Sequence, residues 1–129
     1  MPEYIAIPLL GAAQSEPREE MQELWARLLA NAMDPARAEN VRPEFVEMLR
    51  KLQPIDAKIL TIVKSAMPGG PSVGLVDVNQ IAARAELRES AAGVSVSHLE
   101  EERCIRRIGS NRAIALTEYG QELMIAVAP

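Results

Sequence analysis

The chain has 129 residues, the length of one ordinary domain, enough to bury roughly two-thirds of the surface its unfolded form exposes. Its 14 Lys and Arg against 18 Asp and Glu leave a formal charge of −4, which argues against a generally basic nucleic-acid coat or a polybasic membrane anchor. Any nucleic-acid contact has to be local. A single Cys and a single His leave an enzyme little to work with, Cys104 has no partner for a disulfide, and the expected address is the cytoplasm.

Only Tyr4, Trp25, Phe45 and Tyr119 are aromatic, so the core is expected to be aliphatic. The first apolar stretch, Tyr4 to Ala13, is broken by Pro8 and Gly11 and too short to span a bilayer, so no membrane contact is expected of it. Tyr4 to Leu10 reads instead as an apolar arm in need of cover. From Glu16 to Asp34, residues Met21, Leu24, Trp25, Leu28, Leu29, Ala32 and Met33 recur at the spacing of an amphipathic helix. Ser15 is the expected N-cap, Pro17, Glu19 and Glu20 suit the first turn, and Pro35 stops the helix. A shorter helix opens at Pro43-Glu44 with Phe45, Val46, Leu49 and Leu52 on one face. Another begins at Asp56, with Ile59, Leu60, Ile62, Val63 and Ala66 facing inward, and ends at Pro68-Gly69-Gly70-Pro71. That last stretch is no phosphate cradle, because no Gly-Lys-Ser/Thr follows it at a helix start.

The second half reads as a winged helix-turn-helix. Val73, Leu75, Val76 and Val78 suggest a short strand, Asn79 to Arg84 a first helix, Glu86-Leu87-Arg88 the turn, and Arg88 to Arg103 a second helix with Ala92, Val96 and Leu99 inward. Cys104 to Ile108 and Arg112 to Leu116 flank a Gly109-Ser110-Asn111 turn as a hairpin, the wing. Thr117 caps a last helix, Glu118 to Ala126. The expected fold is thus mainly α, with a helical segment 1–54 and a winged-helix-like segment 55–129 in one compact unit.

Leu24 to Pro35 (Leu-Trp-Ala-Arg-Leu-Leu-Ala-Asn-Ala-Met-Asp-Pro), with Arg42 to Glu47 and Pro54 to Leu60, resembles the abortive-infection alpha family of bacteria. Ser97 to Glu100 and Leu116 to Gly120 resemble its closing feature. The resemblance implies association with bacterial phage defence and brings no reaction, cofactor or catalytic residue with it. Family members usually carry further sequence before the stretch matching Pro2, so the chain is expected to be a C-terminal fragment. One departure stands at Glu101-Glu102-Arg103-Cys104-Ile105, where such wings commonly turn through Leu-Gly-Leu-Ile; a longer second helix is expected here.

A nucleophile and base pair of Cys104 and His98 lacks an orienting third group, and Cys104 reads as a small buried hydrophobe. One His and one Cys cannot supply a zinc site. Asp34, just before Pro35, and Asp56, just after Pro54-Ile55, each stand at a helix boundary near a Pro, where local backbone hydrogen bonding accounts for an Asp. Glu100 to Glu102 reads as a solvated helix end. Trp25 reads as a core anchor and Asn31 as a hydrogen bond that locks the helix end, and the two are also the candidate interface residues. Arg103, Arg106, Arg107 and Arg112 are the candidate contacts to nucleic acid or a partner.

Three function classes follow. The preferred one is a non-enzymatic defence module that acts by binding another macromolecule, as a homodimer with a protein partner, without cofactor or metal. A winged-helix transcriptional regulator is the alternative, although the acidic second helix leaves only weak, nonspecific nucleic-acid binding through the wing. A hydrolase or nuclease lacks a catalytic constellation.

Overall fold

The computed structural model describes residues 3–66, 76–109 and 113–129. Among the described residues it is mostly helical, with α1 Glu3–Ser15, α2 Glu19–Met33, α3 Pro43–Lys51, α4 Pro54–Ser65, α5 Val78–Ala85, α6 Glu89–Glu101 and α7 Glu118–Ala126. Strands β1 Ile105–Ile108 and β2 Ala113–Leu116 form one antiparallel hairpin between α6 and α7, with Ile105 opposite Leu116 and Ile108 opposite Ala113. The chain divides into two compact units, residues 1–54 with 125–129, and residues 55–124. None of the described helices is long and apolar enough to cross a membrane.

In the first unit the amino-terminal apolar stretch is not an arm but helix α1. Ile5, Leu9 and Ala12, spaced i, i+4 and i+7, are buried on one face, and α1 packs on α2 and α3. Pro8 falls on the exposed side of the helix. Helix α2 starts later than the periodicity predicts. Ser15 ends α1, its hydroxyl donating to the Gly11 carbonyl at 2.9 Å, and Arg18 takes the N-cap position of α2 without a side-chain cap bond. The reason is Glu16, which is drawn inward as a hydrogen-bond acceptor, and Pro17, which disfavours helical backbone in the residue before it. Met21, Trp25, Leu28 and Ala32 of α2 and Phe45, Val46 and Leu49 of α3 form the buried stripes. Asp34 closes α2 as expected of a boundary Asp, with Oδ1 accepting from the Ala36 N–H at 2.9 Å.

In the second unit, Val73, Leu75, Pro68 to Pro71, and Ser110 to Arg112 lie outside the described residues. Val76 does pair as an isolated antiparallel bridge with Ile114, but Val78 opens α5 rather than continuing a strand. Asp77 supplies a full capping box with Gln80, accepting its N–H at 2.9 Å while the Gln80 side chain accepts the Asp77 N–H at 3.0 Å. Helix α6 does not run long. It stops at Glu101, and Arg103 takes the left-handed conformation (φ 64°) while the Cys104 N–H reaches back to the Leu99 carbonyl at 2.9 Å. Helix α5 ends in the same way, with Glu86 at φ 57° and the Leu87 N–H on the Ala82 carbonyl at 2.9 Å. Ala92, Val96 and Leu99 are fully buried, whereas Ser97 is exposed. Leu99→Ala is therefore expected to cost about 2–5 kcal/mol and Ser97→Ala well under about 1 kcal/mol, to be read by urea unfolding. Equal, small losses would overturn this assignment of faces.

Candidate functional site

The second unit carries an open groove along α6. Its floor is the face of α6 turned away from Ala92, Val96 and Leu99, made of Ser90, Gly93, Val94 and Ser97, and Val78 of α5 and Arg107 of β1 also line it. Glu89 and Glu101 line its two ends. Val94 is 73% exposed, the most exposed large apolar side chain among the described residues. Helix α6 follows α5 in the chain, and its outer face, which the winged-helix reading expects to turn to DNA, presents small, apolar and acidic side chains.

Behind the groove lies a polar cluster. Asp56 in the first turn of α4 is only 2% exposed; its Oδ1 accepts from the Ser95 hydroxyl and its Oδ2 bonds to His98 Nδ1 at 2.8 Å. A carboxylate is an acceptor, so His98 Nδ1 carries the hydrogen. Asp56 is thus not a mere boundary residue with local backbone bonds: it ties α4 to α6 through two side chains one helical turn apart. The signal was present as Ser95 and His98 at i and i+3, but only the packing of α4 on that face identifies their shared partner. The wiring differs from a catalytic triad, because Ser95 is buried and bonded to the carboxylate rather than to the imidazole. His98 Nε2 lies 4.0 Å from Glu102 Oε1, and the side chain is 31% exposed into the groove.

Cys104 does not meet His98. It is fully buried, its thiol directed to the Glu102 carbonyl at 3.9 Å. Burial, then the carboxylates of Glu102 and Asp56, push the thiol pKa up to about 12, so it stays protonated and unreactive at neutral pH. Among the described residues no group of three His, Cys, Asp or Glu is placed to hold a metal ion.

The four arginines are not equivalent. Arg112 lies outside the described residues. Arg106 is exposed, Arg107 pairs with Glu100 at 3.4 Å, and Arg103 serves the chain reversal after α6, its carbonyl accepting from the Thr117 hydroxyl. Alternation along β1 separates Arg106 from Arg107, and only the latter lines the groove.

Trp25 and Asn31 sit in the first unit. Trp25 is 1% exposed, and its indole N–H donates to Glu16 Oε2 at 3.1 Å. Arg18 grips the same carboxylate with Nε at 2.8 Å and a second guanidinium nitrogen at 3.0 Å, its backbone N–H bonds to it at 2.9 Å, and a third guanidinium contact reaches the Leu52 carbonyl at 2.7 Å. Arg18 foremost, with Trp25 adding to it, holds the Glu16 carboxyl near a pKa of about 2 against burial. Asn31 donates to the carbonyls of Ala126 at 2.8 Å and Ala128 at 3.0 Å and accepts from Arg37 at 3.2 Å, fastening the last residues to α2. Nothing in the periodicity marks Glu16 as the hub of this network.

No curated protein and no solved structure matches the chain. The family model of abortive infection alpha matches residues 1–109, a stretch that holds the Glu16 network, the Asp56 cluster and the whole of α6. On that match over most of its length, the chain belongs to the abortive infection alpha family.

Proposed function

We propose that the chain is a non-enzymatic module of bacterial phage defence that acts in the cytoplasm by binding another macromolecule, with the α6 groove as its contact face. The observation that carries this reading is Val94, an exposed apolar side chain that lines the groove on α6. The buried, protonated Cys104 and the triad-unlike wiring of Ser95, Asp56 and His98 support a binding rather than a chemical role. Affinity capture from infected and uninfected bacteria is expected to retain a protein on the native chain and lose it with Val94→Arg. Equal recovery on both would overturn the groove as the contact face.

The alternative, a winged-helix transcriptional regulator, draws on the order of α4, α5, α6, hairpin and α7 and on the wing arginines. Four arginines neutralise at most about four phosphates, a slope of about −3.6 in log affinity against log salt. Binding to duplex DNA is expected to be no tighter than about micromolar at physiological salt, abolished by charge reversal at Arg106 and Arg107 and insensitive to Arg88→Ala. Fluorescence anisotropy showing nanomolar, sequence-dependent binding lost with Arg88→Ala would put the regulator first.

Self-association completes the proposal. Ile7, 69% exposed, and Leu10, 42% exposed, leave an apolar face on α1 with Pro8 and Gly11. A homodimer is expected in sedimentation at micromolar concentration, and a single species at the monomer mass would count against it.

A further inference from the structure

We propose that the α6 groove takes an amphipathic helix of a partner protein, presenting Lys or Arg at both ends of its buried face; this rests on the reading of the groove as a protein-binding surface. Gly93 is the first observation. Glycine in the interior of a helix weakens it, and a Cβ at Gly93 would meet nothing within 4 Å among the described residues, so the fold itself has no steric need for the missing side chain. What it leaves is space on the outer face of α6. Ser90 and Ser97 lie three residues before it and four after it, on the same face, so a second helix can approach closely along this line. Val94 beside them is the apolar group such a helix would cover.

Charge selects the occupant. Glu89 and Glu101 stand twelve residues apart on α6, about 18 Å at the rise of a helix, which matches cations about three turns apart on the incoming helix. The neighbouring Arg107 is engaged by Glu100 at 3.4 Å, and the same end of the groove offers His98, whose Nδ1 is committed to Asp56. Phosphates of a nucleic acid or of an anionic lipid surface meet like charge at both ends of the groove.

The test uses the whole chain and three probes: a 20-residue Ala/Leu helix with Lys about three turns apart, the same peptide with Glu in place of Lys, and a mixed-sequence DNA duplex. The Lys peptide is expected to bind and to shift the backbone amide resonances of Ser90 to Ser97, and the Glu peptide to leave them in place. Glu89→Lys with Glu101→Lys is expected to weaken the Lys peptide at least tenfold. Gly93→Leu is expected to do the same without lowering the melting temperature, and Gly93→Ala to raise that temperature. A Lys peptide whose binding survives Gly93→Leu and the double charge reversal, shifts confined to other elements, or preferential uptake of the duplex would each overturn the proposal. A cellular partner lost with Val94→Arg that docks through an acidic segment would overturn this chemistry and leave the binding role standing. Failure of both the capture and the Lys peptide would remove both.

Discussion

Gly120→Ala is expected to cost about 3–5 kcal/mol, one of the largest single-methyl effects in the chain. A Cβ at Gly120 would collide with the Cys104 carbonyl oxygen and come within 2.9 Å of its carbonyl carbon, and both atoms are backbone that cannot turn aside. Two hydrogen bonds hold the two segments at that spacing and a third fixes the first turn of α7 on the same Thr117. The Thr117 N–H donates to the Cys104 carbonyl at 3.1 Å, the Thr117 hydroxyl donates to the Arg103 carbonyl, and the Gly120 N–H donates to the Thr117 hydroxyl at 3.0 Å. Relief of the clash has to break this junction between the end of α6 and the start of α7. Alanine is intrinsically the better helix former, so propensity alone predicts the opposite sign. Gly11→Ala in α1 is the control, since a Cβ there meets nothing within 4 Å among the described residues. Thermal unfolding is expected to show a fall of about 10 °C or more for Gly120→Ala and none for Gly11→Ala. Equal melting temperatures would show that the approach of α7 to Cys104 is not tight.

The second large effect is electrostatic. Glu16 has its carboxyl pKa lowered from 4.5 to about 2, chiefly by the hydrogen bonds from Arg18. At about 1.4 kcal/mol per pKa unit this corresponds to about 3.5 kcal/mol between the charged and protonated forms. Because the folded pKa lies below the unfolded one, the unfolded chain binds the proton more readily in this range. The stabilisation is complete above about pH 4.5 and disappears as pH falls through about 2. Glu16→Gln keeps the shape but not the charge, and leaves the Arg18 guanidinium without its counter-ion. The variant is expected to be less stable than the native chain by about 2–3 kcal/mol at pH 7, with the gap closing as pH is lowered from 5 toward 2. Urea unfolding over that pH series measures it. A gap that stays constant would place the loss in packing against Trp25 rather than in the charge.

Side-chain period and turn chemistry in the sequence by themselves determined most of the helices. The stripe of Met21, Trp25 and Leu28, the stripe of Phe45, Val46 and Leu49, and the burial of Ala92, Val96 and Leu99 follow from a spacing of 3.6 residues. The pairing of Ile105–Ile108 with Ala113–Leu116 follows from the β-branched and apolar residues of the two strands, and the cap of α7 from Thr117. Local chemistry settles such features because the groups that satisfy one another are a turn apart. Asp34 behaves as its neighbourhood predicts for the same reason.

Asp56, two residues after Pro54 and at a helix boundary like Asp34, does not. Its partners Ser95 and His98 are 39 and 42 residues away, and only the packing of α4 against α6 decides that its carboxylate is buried between them. Glu16 reads as the first residue of a helix until the fold brings Trp25 and Arg18 around its carboxylate and moves the helix start to Glu19. Arg103 reads as the last residue of a charged helix, yet it adopts a backbone conformation that glycine favours, because the Cys104 N–H must turn back to Leu99 and its carbonyl must meet Thr117. The absence of a side chain at Gly120 means nothing until α7 is laid against the Cys104 carbonyl. In each case the deciding contact spans residues that no local pattern relates. A polar group removed from water is satisfied by whatever the tertiary fold places beside it, and that partner is set by three-dimensional packing rather than by spacing along the chain.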